Sequence, residues 1–459
     1  MADPKELFRK IPKVDELMDA VTGKFEGVPA AVLKEAVHQV QDGLRADIKS
    51  GKLTEIPDYD EIKKMVEKAA GKESLPSLRP VINGSGIVIH TNLGRSCLSE
   101  AAVKAVSGVA RAYSTLEYDV EKGARGSRHD HIEDLICSVT GAEAAMVVNN
   151  NAGAVLLILS ELGKGGEVIT SRGELVEIGG SFRIPEIMEA CGCMLKEVGA
   201  TNKTHVSDYE KAICENTKAL LKVHTSNYRI VGFSEEVSLS EMMELGARYE
   251  LPVIQDLGSG CLVDLKQFGI HDEPCVQESV RAGADIISIS GDKLLGGAQA
   301  GIILGKKCYI DKLKKHPLAR ALRVDKMTLA ALRETLYVYQ DEERAKQEIP
   351  TLAMIGAKPE FLKFKAEAIA EKIIEAGFKA SVTELEDQVG GGSVPNQMLD
   401  GWGVVIDPGK FTVDQLEERL RTRELPIVGR INKDRYMLSV RTLLKNDEDL
   451  IIQALKEIL

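Results

Sequence analysis

A lysine between two apolar runs is the first feature of this sequence that suggests chemistry. Lys293 follows the run Ile287–Ser290 and precedes a glycine-rich stretch and a second apolar run. A lysine held rigidly at a strand end, with a partner that keeps part of its amine deprotonated, can form a Schiff base with a carbonyl compound. Ser290 offers a hydroxyl for a phosphate group. A lone lysine in such a turn is more often a surface charge, so the motif is weak by itself.

A carboxylate strengthens this interpretation. Asp256 ends the apolar run that begins at Val253. A carboxylate in contact with a pyridine nitrogen raises its pKa and keeps it protonated, as pyridoxal 5'-phosphate (PLP) requires to act as an electron sink. Taken alone, Asp256 would more simply cap a turn.

The third element lies where the apolar run Ala144–Val148 gives way to an apolar helix. Asn150, Asn151 and Ala152 occupy that junction. Backbone N–H groups at a helix N-terminus with an asparagine cap form a site for a phosphate dianion, although asparagine is also simply a good cap. His224, after the run Ala219–Val223, is a candidate to lie over the cofactor, and a structural role fits it equally well. Three elements in this order indicate a PLP enzyme of the aminotransferase-like class.

The elements that must position these residues alternate along residues 80–340. Strand-like runs separated by helical stretches predict a parallel sheet covered by helices on both faces. Ligands of such sheets bind beyond the carboxyl ends of the strands, where the three elements lie. The predicted strands are Ala144–Val148, Val168–Thr170, Ala219–Val223, Pro252–Ile254, Asp285–Ile289 and Gly301–Leu304.

The flanking regions predict two smaller domains. Residues 1–72 contain short amphipathic helices, for example Val32–Ile48, and the proline-containing segment 75–80 reads as a linker. Residues 73–340 then form the large catalytic domain. Residues 341–459 mix helices and strands, which suits a small α+β domain, and Gly390–Ser393 reads as a turn.

Composition excludes several classes of protein. Hydrophobic residues make up 44% and charged residues 28% of 459 residues, as in ordinary globular proteins. We expect a cytoplasmic protein, because the chain lacks a signal-peptide pattern and a membrane-spanning run. The net charge of −11 argues against indiscriminate nucleic-acid binding but leaves room for a local basic face. The eight cysteines form no metal or disulfide pattern, so we expect reduced thiols and no metal site.

Several blocks together resemble the bacterial selenocysteine synthase family, the L-seryl-tRNA(Sec) selenium transferases. The resemblance spans the catalytic region and extends more weakly to both ends of the chain. The blocks are Asn83–Arg95, Glu117–Arg128, Ser171–Phe182, Ser290–Gly297 and Pro317–Lys326. Ala298 and Gly153 depart from the pattern, where the family has proline and alanine.

The resemblance implies a fold-type-I PLP enzyme, an aspartate-aminotransferase-like fold. Such an enzyme converts seryl-tRNA(Sec) to selenocysteinyl-tRNA(Sec) through an aminoacrylyl intermediate, with selenophosphate as donor. It also implies that the helical N-terminal domain grips the tRNA, that the subunits form a ring of dimers, a decamer, and that Arg95, Arg320 and Arg323 bind the donor's phosphate.

Two roles and two competing functions stay open. Asp292, beside the lysine, either assists loss of the substrate's hydroxyl or caps the turn. Arg441 resembles the carboxylate-binding arginine of aminotransferases, but an aminoacyl ester has no free carboxylate. The alternative enzyme is a PLP-dependent β-eliminase or ammonia lyase acting on a small amino or amino-sugar acid. The non-enzymatic alternative, a tRNA-binding protein with a vestigial fold, conflicts with the intact Lys293, Asp256 and asparagine loop.

Overall fold

A computed structural model describes residues 4–180 and 182–459 of the chain. Residues 1–3 of the predicted helical domain and Ser181 of the block Ser171–Phe182 lie outside the described residues.

The described chain contains nineteen α-helices and seventeen strands. The N-terminal helices are α1 (Pro4–Arg9), α2 (Val14–Thr22), α3 (Ala30–Lys49) and α4 (Tyr59–Ser74). The elements up to residue 340 are β1 (Ile82–Asn83), α5 (Glu100–Ala110), β2 (Tyr118–Asp119), β3 (Ala124–Arg125), α6 (Glu133–Thr140), β4 (Ala144–Val148), α7 (Asn151–Leu162), β5 (Glu167–Ser171), β6 (Glu177–Ile178), β7 (Phe182–Arg183), α8 (Ile184–Ala190), β8 (Met194–Val198), α9 (Val206–Ala212), β9 (Thr217–Val223), α10 (Leu239–Tyr249), β10 (Val253–Asp256), α11 (Val276–Arg281), β11 (Ile286–Ser290), β12 (Gly301–Gly305), α12 (Lys307–Lys315), α13 (Pro317–Ala321) and α14 (Lys326–Val338). The remaining elements are α15 (Glu342–Glu348), α16 (Pro350–Ile355), α17 (Pro359–Glu375), β13 (Ala380–Gly390), β14 (Ser393–Ile406), α18 (Val413–Arg421), β15 (Ile427–Val428), β16 (Arg430–Asn432), β17 (Arg435–Ser439) and α19 (Asp447–Ile458).

The chain divides into two compact units. One comprises the chain up to Ile82 together with Glu417–Ile427, and the other comprises Asn83–Leu416 together with Val428–Leu459. The division into three domains at residues 72 and 340 stays a prediction. None of the helices in residues 4–180 and 182–459 combines the length and apolar character that a membrane span requires.

The N-terminal helices of the first unit share one apolar core. Leu17 of α2, Leu33 and Val37 of α3, and Ile62 and Val66 of α4 are fully buried in it. These residues recur at helical spacing, so each helix turns one apolar stripe inward and leaves its charged residues in solvent.

The second unit is built on a seven-stranded sheet with the order β4-β12-β11-β10-β9-β5-β8. Neighbouring residues of one strand point to opposite faces, and in β4 both sets are buried: Ala145 and Val147 on one face, Met146 and Val148 on the other. Strands with two apolar faces require helices on both sides of the sheet, as predicted.

The prediction of a parallel sheet was wrong for one strand. β12 runs antiparallel to both of its neighbours, β11 and β4, whereas β11, β10, β9, β5 and β8 are parallel. The reason is the short connection of residues 291–300, because a parallel return requires a crossover of about a dozen residues or more. Lys293 lies in this connection.

Backbone hydrogen bonds hold the connection at both ends. Gly291 N–H donates to Ala300 O (2.8 Å), Gly297 N–H to Gly291 O (2.8 Å), and Leu294 N–H to Ser259 O (3.0 Å). The hydroxyl of Tyr339 donates to Leu295 O at 2.8 Å. Lys293 therefore lies in a turn whose backbone is held in place by hydrogen bonds.

A second, antiparallel sheet has the order β13-β14-β17-β16. Gly390, Gly391 and Gly392 all have positive φ and close the β13–β14 hairpin, which confirms that Gly390–Ser393 is a turn.

Candidate active site

The amine of Lys293 is withdrawn from water beside a glycine. The residue is 3% exposed. A Cβ placed on Gly258 would lie 3.8 Å from Lys293 Nζ, 3.8 Å from Ser226 Oγ and 4.0 Å from Asp256 Oδ1. Burial lowers the pKa of the Lys293 amine; Asp256 opposes this shift and the charge of Arg95 adds to it. A larger share of uncharged, nucleophilic amine follows.

Asp256 is a buried carboxylate that acts on that amine. Its Oδ1 accepts hydrogen bonds from Asn151 Nδ2 (2.8 Å) and Ser288 Oγ (3.0 Å). Burial raises the pKa of Asp256, while Asn151, Ser288 and Lys293 counter that shift. The three strand-end elements of the sequence therefore meet: Asp256 ends β10, Asn151 begins α7, and Lys293 follows β11.

The asparagines divide two tasks between them. Asn150 is the N-cap of α7 and accepts a hydrogen bond from Gly153 N–H at 2.7 Å, whereas Asn151 reaches Asp256. Ala152 is exposed in the first turn of the helix, whose leading N–H groups have no partner within the helix. Ser290 is buried at the end of β11, paired with Gly301 in β12.

His224 joins the site through its backbone and ring. Its N–H donates to Asp256 O at 2.8 Å, and its ring Nδ1 lies 3.4 Å from Leu257 O. The same ring atom is 4.0 Å from Oε1 of Glu273, a residue that the sequence analysis missed. Glu273 and its exposed neighbour Asp272 look alike in sequence, and only the fold separates them.

Asp292 and Arg95 form an ion pair on the other side of the lysine. Arg95 Nη1 lies 2.8 Å from Asp292 Oδ2. Ser96 Oγ donates to the carbonyls of both Asp292 (2.9 Å) and Lys293 (2.7 Å), so the block that ends at Arg95 holds the lysine turn. A cleft of about 340 Å³ opens here, lined in part by Arg95, Asp292 and Gln299.

The other two predicted arginines lie in α13 and just after it. Arg320 is exposed in α13, which ends at Ala321, so Arg323 lies beyond the helix. Arg323 pairs with Val148 through its backbone, and its Nη1 lies 3.6 Å from Glu117 Oε1. Arg95 is bound beside Lys293, while Arg323 is bound beside the asparagine loop.

Arg441 is fully engaged inside the protein. Its Nε lies 3.0 Å from Asp387 Oδ2, its Nη1 donates to Met354 O (2.6 Å) and its Nη2 to Asp400 O (2.6 Å). A guanidinium bound on all sides cannot also hold a substrate carboxylate.

The residues present fit PLP. The absent side chain of Gly258 leaves space between Lys293, Ser226 and Asp256, and Asn151 Oδ1 beside it is buried without a hydrogen-bond partner. The first turn of α7 supplies N–H groups for a phosphate. No group of three His, Cys, Asp or Glu side chains that could hold a metal ion occurs in the described part of the chain.

The fold is fold type I, that of the aminotransferase-like PLP-dependent transferases, as the sequence predicts. Among solved structures, D-glucosaminate-6-phosphate ammonia-lyase superimposes with a TM-score of 0.57 at 21% identity, covering 83% of this chain and 96% of that one. Residues 81–444 match the family model of L-seryl-tRNA selenium transferase. The chain belongs to this family of transferases.

Curated relatives match over nearly the whole chain. The L-seryl-tRNA(Sec) selenium transferase of Geobacter sulfurreducens is 48% identical and covers 98% of this chain and 99% of its own. The enzyme of the same name from Maridesulfovibrio salexigens is 50% identical, covering 99% of each chain.

Proposed function

We propose that this protein converts L-seryl-tRNA(Sec) to L-selenocysteinyl-tRNA(Sec) with PLP as cofactor and selenophosphate as selenium donor. The observation that carries the proposal is the 48–50% identity to enzymes of that name across 98–99% of this chain. The geometry supports it, because the candidate lysine, carboxylate and helix N-terminus of a PLP site lie together.

Each residue has a role in the proposed reaction. When bound, PLP draws electrons from the bond to the Cα hydrogen of the seryl group. Lys293 holds the cofactor and, once displaced by the seryl amine, removes the Cα proton. Asp256, held by Asn151 and Ser288, keeps the ring nitrogen protonated. Ser290 and the first turn of α7, at Asn150, Asn151 and Ala152, take the phosphate.

Loss of the β-hydroxyl as water leaves a dehydrated, aminoacrylyl form of the aminoacyl group. The donor's selenium then forms a bond to Cβ, Cα takes back a proton, and water breaks the P–Se bond, so that phosphate is released. We assign the donor's phosphate to Arg95, Arg320 and Arg323, since guanidinium groups grip phosphate oxygens in a bidentate fork. Asp292, paired with Arg95 at 2.8 Å, orients that arginine in this scheme.

The hydrogen bonds of the buried Arg441 favour an aminoacyl ester over a free amino acid as the substrate. A lyase acting on a free acid needs a cation for the substrate's carboxylate, and Arg441 is committed to Asp387 and backbone carbonyls. An aminoacyl ester needs no such cation. The ammonia-lyase likeness shows the fold alone.

The test is a two-stage reaction. The purified, PLP-loaded protein is incubated with seryl-tRNA(Sec) and then with selenophosphate, and the esterified amino acid is released and identified. We expect selenocysteine only when both substrates and Lys293 are present. Conversion of free serine or an amino-sugar acid to ammonia, with no selenocysteinyl-tRNA, would instead establish the lyase.

Residues 1–72 are proposed to grip the tRNA through basic side chains such as Lys34, Arg45, Lys49 and Lys52. Arg45 is paired with Asp42 at 2.6 Å, an exposed pair worth little energy, so it remains available to phosphate. Deleting residues 1–72 should abolish tRNA binding and leave the visible chromophore intact. Unchanged tRNA affinity after deletion would refute this role.

The assembly is proposed to be a ring of dimers, a decamer. Sedimentation analysis of the PLP-loaded protein tests it, and a stable dimer that does not associate further would exclude the ring.

A further inference from the structure

A cavity of about 460 Å³ opens beside His224. Five carboxylates of the described chain line it: Glu174, Glu235, Glu236, Asp272 and Glu273. Such a wall favours a cation, provided that its negative charges are not already neutralised.

Four of these carboxylates already have a cation of the protein as partner. Glu174 and Glu236 share Lys222 Nζ at 3.0 and 3.4 Å, Glu235 pairs with His205 at 3.3 Å and Lys203 at 3.5 Å, and Asp272 pairs with Arg229 at 2.6 Å. The negative charge of these four carboxylates is therefore balanced by cations of the protein.

Glu273 differs from all four. Its side chain is 1% exposed, and its Oε1 has no hydrogen-bond partner. The nearest cationic candidate, His224 Nδ1, is 4.0 Å away, beyond hydrogen-bond distance. A buried carboxylate of this kind is unfavourable unless a partner arrives, since natural structures rarely leave such groups unpaired.

The surroundings of Glu273 suit a base. Burial raises the pKa of its carboxyl group, countered by His224, by Ser259 and by Lys293. The charged groups that face it are therefore His224 at the end of β9 and Lys293 after β11. Asp256 and Arg95 act on Lys293 in opposite directions, and the rim carboxylates are compensated.

We propose that Glu273 binds the α-ammonium group of the incoming aminoacyl ester and takes one of its protons. The inference rests on the proposed function and adds a substrate-binding residue to it. One N–H bond of the ammonium breaks, an O–H bond forms at Oε1, and the nitrogen keeps its electron pair for attack on the cofactor. The proton then leaves to water in the cavity or to His224.

The first test measures binding without reaction. In a Lys293→Ala background, the affinities for seryl-tRNA(Sec) and N-acetylseryl-tRNA(Sec) are compared, because acetylation removes the ammonium charge. We expect a preference of about ten- to a hundredfold for the free ammonium, lost when E273Q is added. D272N is the matched control, a neighbouring carboxylate of the same cavity, and should keep the preference.

The second test is the pH profile of selenocysteine formation. E273Q should lose about tenfold or more at neutral pH and recover as the pH rises through about 8, where the substrate amine deprotonates by itself. A purely structural role would lower the rate equally at every pH and lower the unfolding temperature. Glu273→Asp, which keeps a carboxylate, should restore part of the neutral-pH rate.

The outcomes separate the two proposals. A wild-type protein that forms no selenocysteinyl-tRNA overturns the proposed function. An active wild type in which E273Q keeps both the ammonium preference and the neutral-pH rate overturns the role of Glu273 alone.

Discussion

Two clusters of buried charge in the second unit are organised in opposite ways. Around Arg441, the side chain of Asp387 is fully buried and every partner is in place: Arg441 Nε at 3.0 Å, Arg430 Nη2 at 2.6 Å and Ser439 Oγ at 3.1 Å. Around Lys293, buried atoms are left without hydrogen bonds, Asn151 Oδ1 and Glu273 Oε1 among them. A closed cluster, in which every buried polar group is hydrogen-bonded, stabilises the fold. An open cluster, with unpartnered buried atoms, can bind a ligand.

Substitutions in the open cluster should reduce activity and leave stability nearly unchanged. Lys293→Ala should have the largest effect. We expect complete loss of the borohydride-reducible PLP linkage and of product, with little change in the unfolding temperature. Lys222→Met is the control, since Lys222 is also buried but paired with Glu174 at 3.0 Å. A reduced PLP adduct that persists in Lys293→Ala would show that another lysine carries the cofactor.

Substitutions in the closed cluster around Asp387 should instead destabilise the fold. Asp387→Asn leaves the Arg441 guanidinium buried without its carboxylate, which should cost about 3–5 kcal/mol in the free energy of unfolding. Denaturant unfolding of the PLP-loaded protein measures it, and Glu384→Gln, at an exposed carboxylate of β13 in the same sheet, is the control. Equal stability of the two variants would mean that the cluster around Asp387 does not stabilise the fold.

Arg95 combines features of the closed and the open cluster, because it is paired with Asp292 and also lines an open cleft. Arg95→Ala should weaken selenophosphate use by about ten- to a hundredfold while dehydration of the seryl group persists. Since the charge of Arg95 helps to lower the pKa of the Lys293 amine, the pKa of that amine should rise in the variant without cofactor. If dehydration falls as much as donor use, the arginine shapes the cofactor site instead.

The smallest expected change is in the unfolding temperature of Glu273→Gln, which should be slightly higher than that of the wild type. The pKa of Glu273 is raised by burial, so the folded protein holds its proton to higher pH than the unfolded chain. Stability from this group is full below its ordinary pKa and is lost as pH rises through the raised value. Glutamine removes that loss, so the variant should unfold about 1–2 °C higher than wild type at neutral pH and equally at pH 4. A lower unfolding temperature at neutral pH would contradict a net burial cost at Glu273.

Sequence patterns predicted most of the sheet because buried strands are apolar on both faces. β4 matches its predicted bounds, Ala144–Val148. The edge strand β8 was missed, since Lys196 and Glu197 interrupt its apolar pattern and only one side of an edge strand is paired. The antiparallel direction of β12 was missed because strand composition does not encode direction.

The candidate site divides in the same way. Lys293, Asp256 and Asn151 were predictable, since carboxyl ends of neighbouring strands meet at one edge. Glu273 was not, because its isolation depends on which carboxylates find cations, and those cations come from distant parts of the chain. Likewise, no spacing rule reveals that Arg441 is enclosed by four backbone carbonyls and Asp387.

The hydrogen-bonded turn that carries Lys293 should be protected from amide hydrogen exchange. Gly291, Leu294 and Gly297 all donate to backbone carbonyls, and each of these residues is buried. Their N–H groups should therefore exchange with deuterium only when the sheet itself opens, at rates close to those of β11. Catalytic segments usually exchange early, so a protected lysine turn would mark this protein as one whose reactive group belongs to its slowest-opening core.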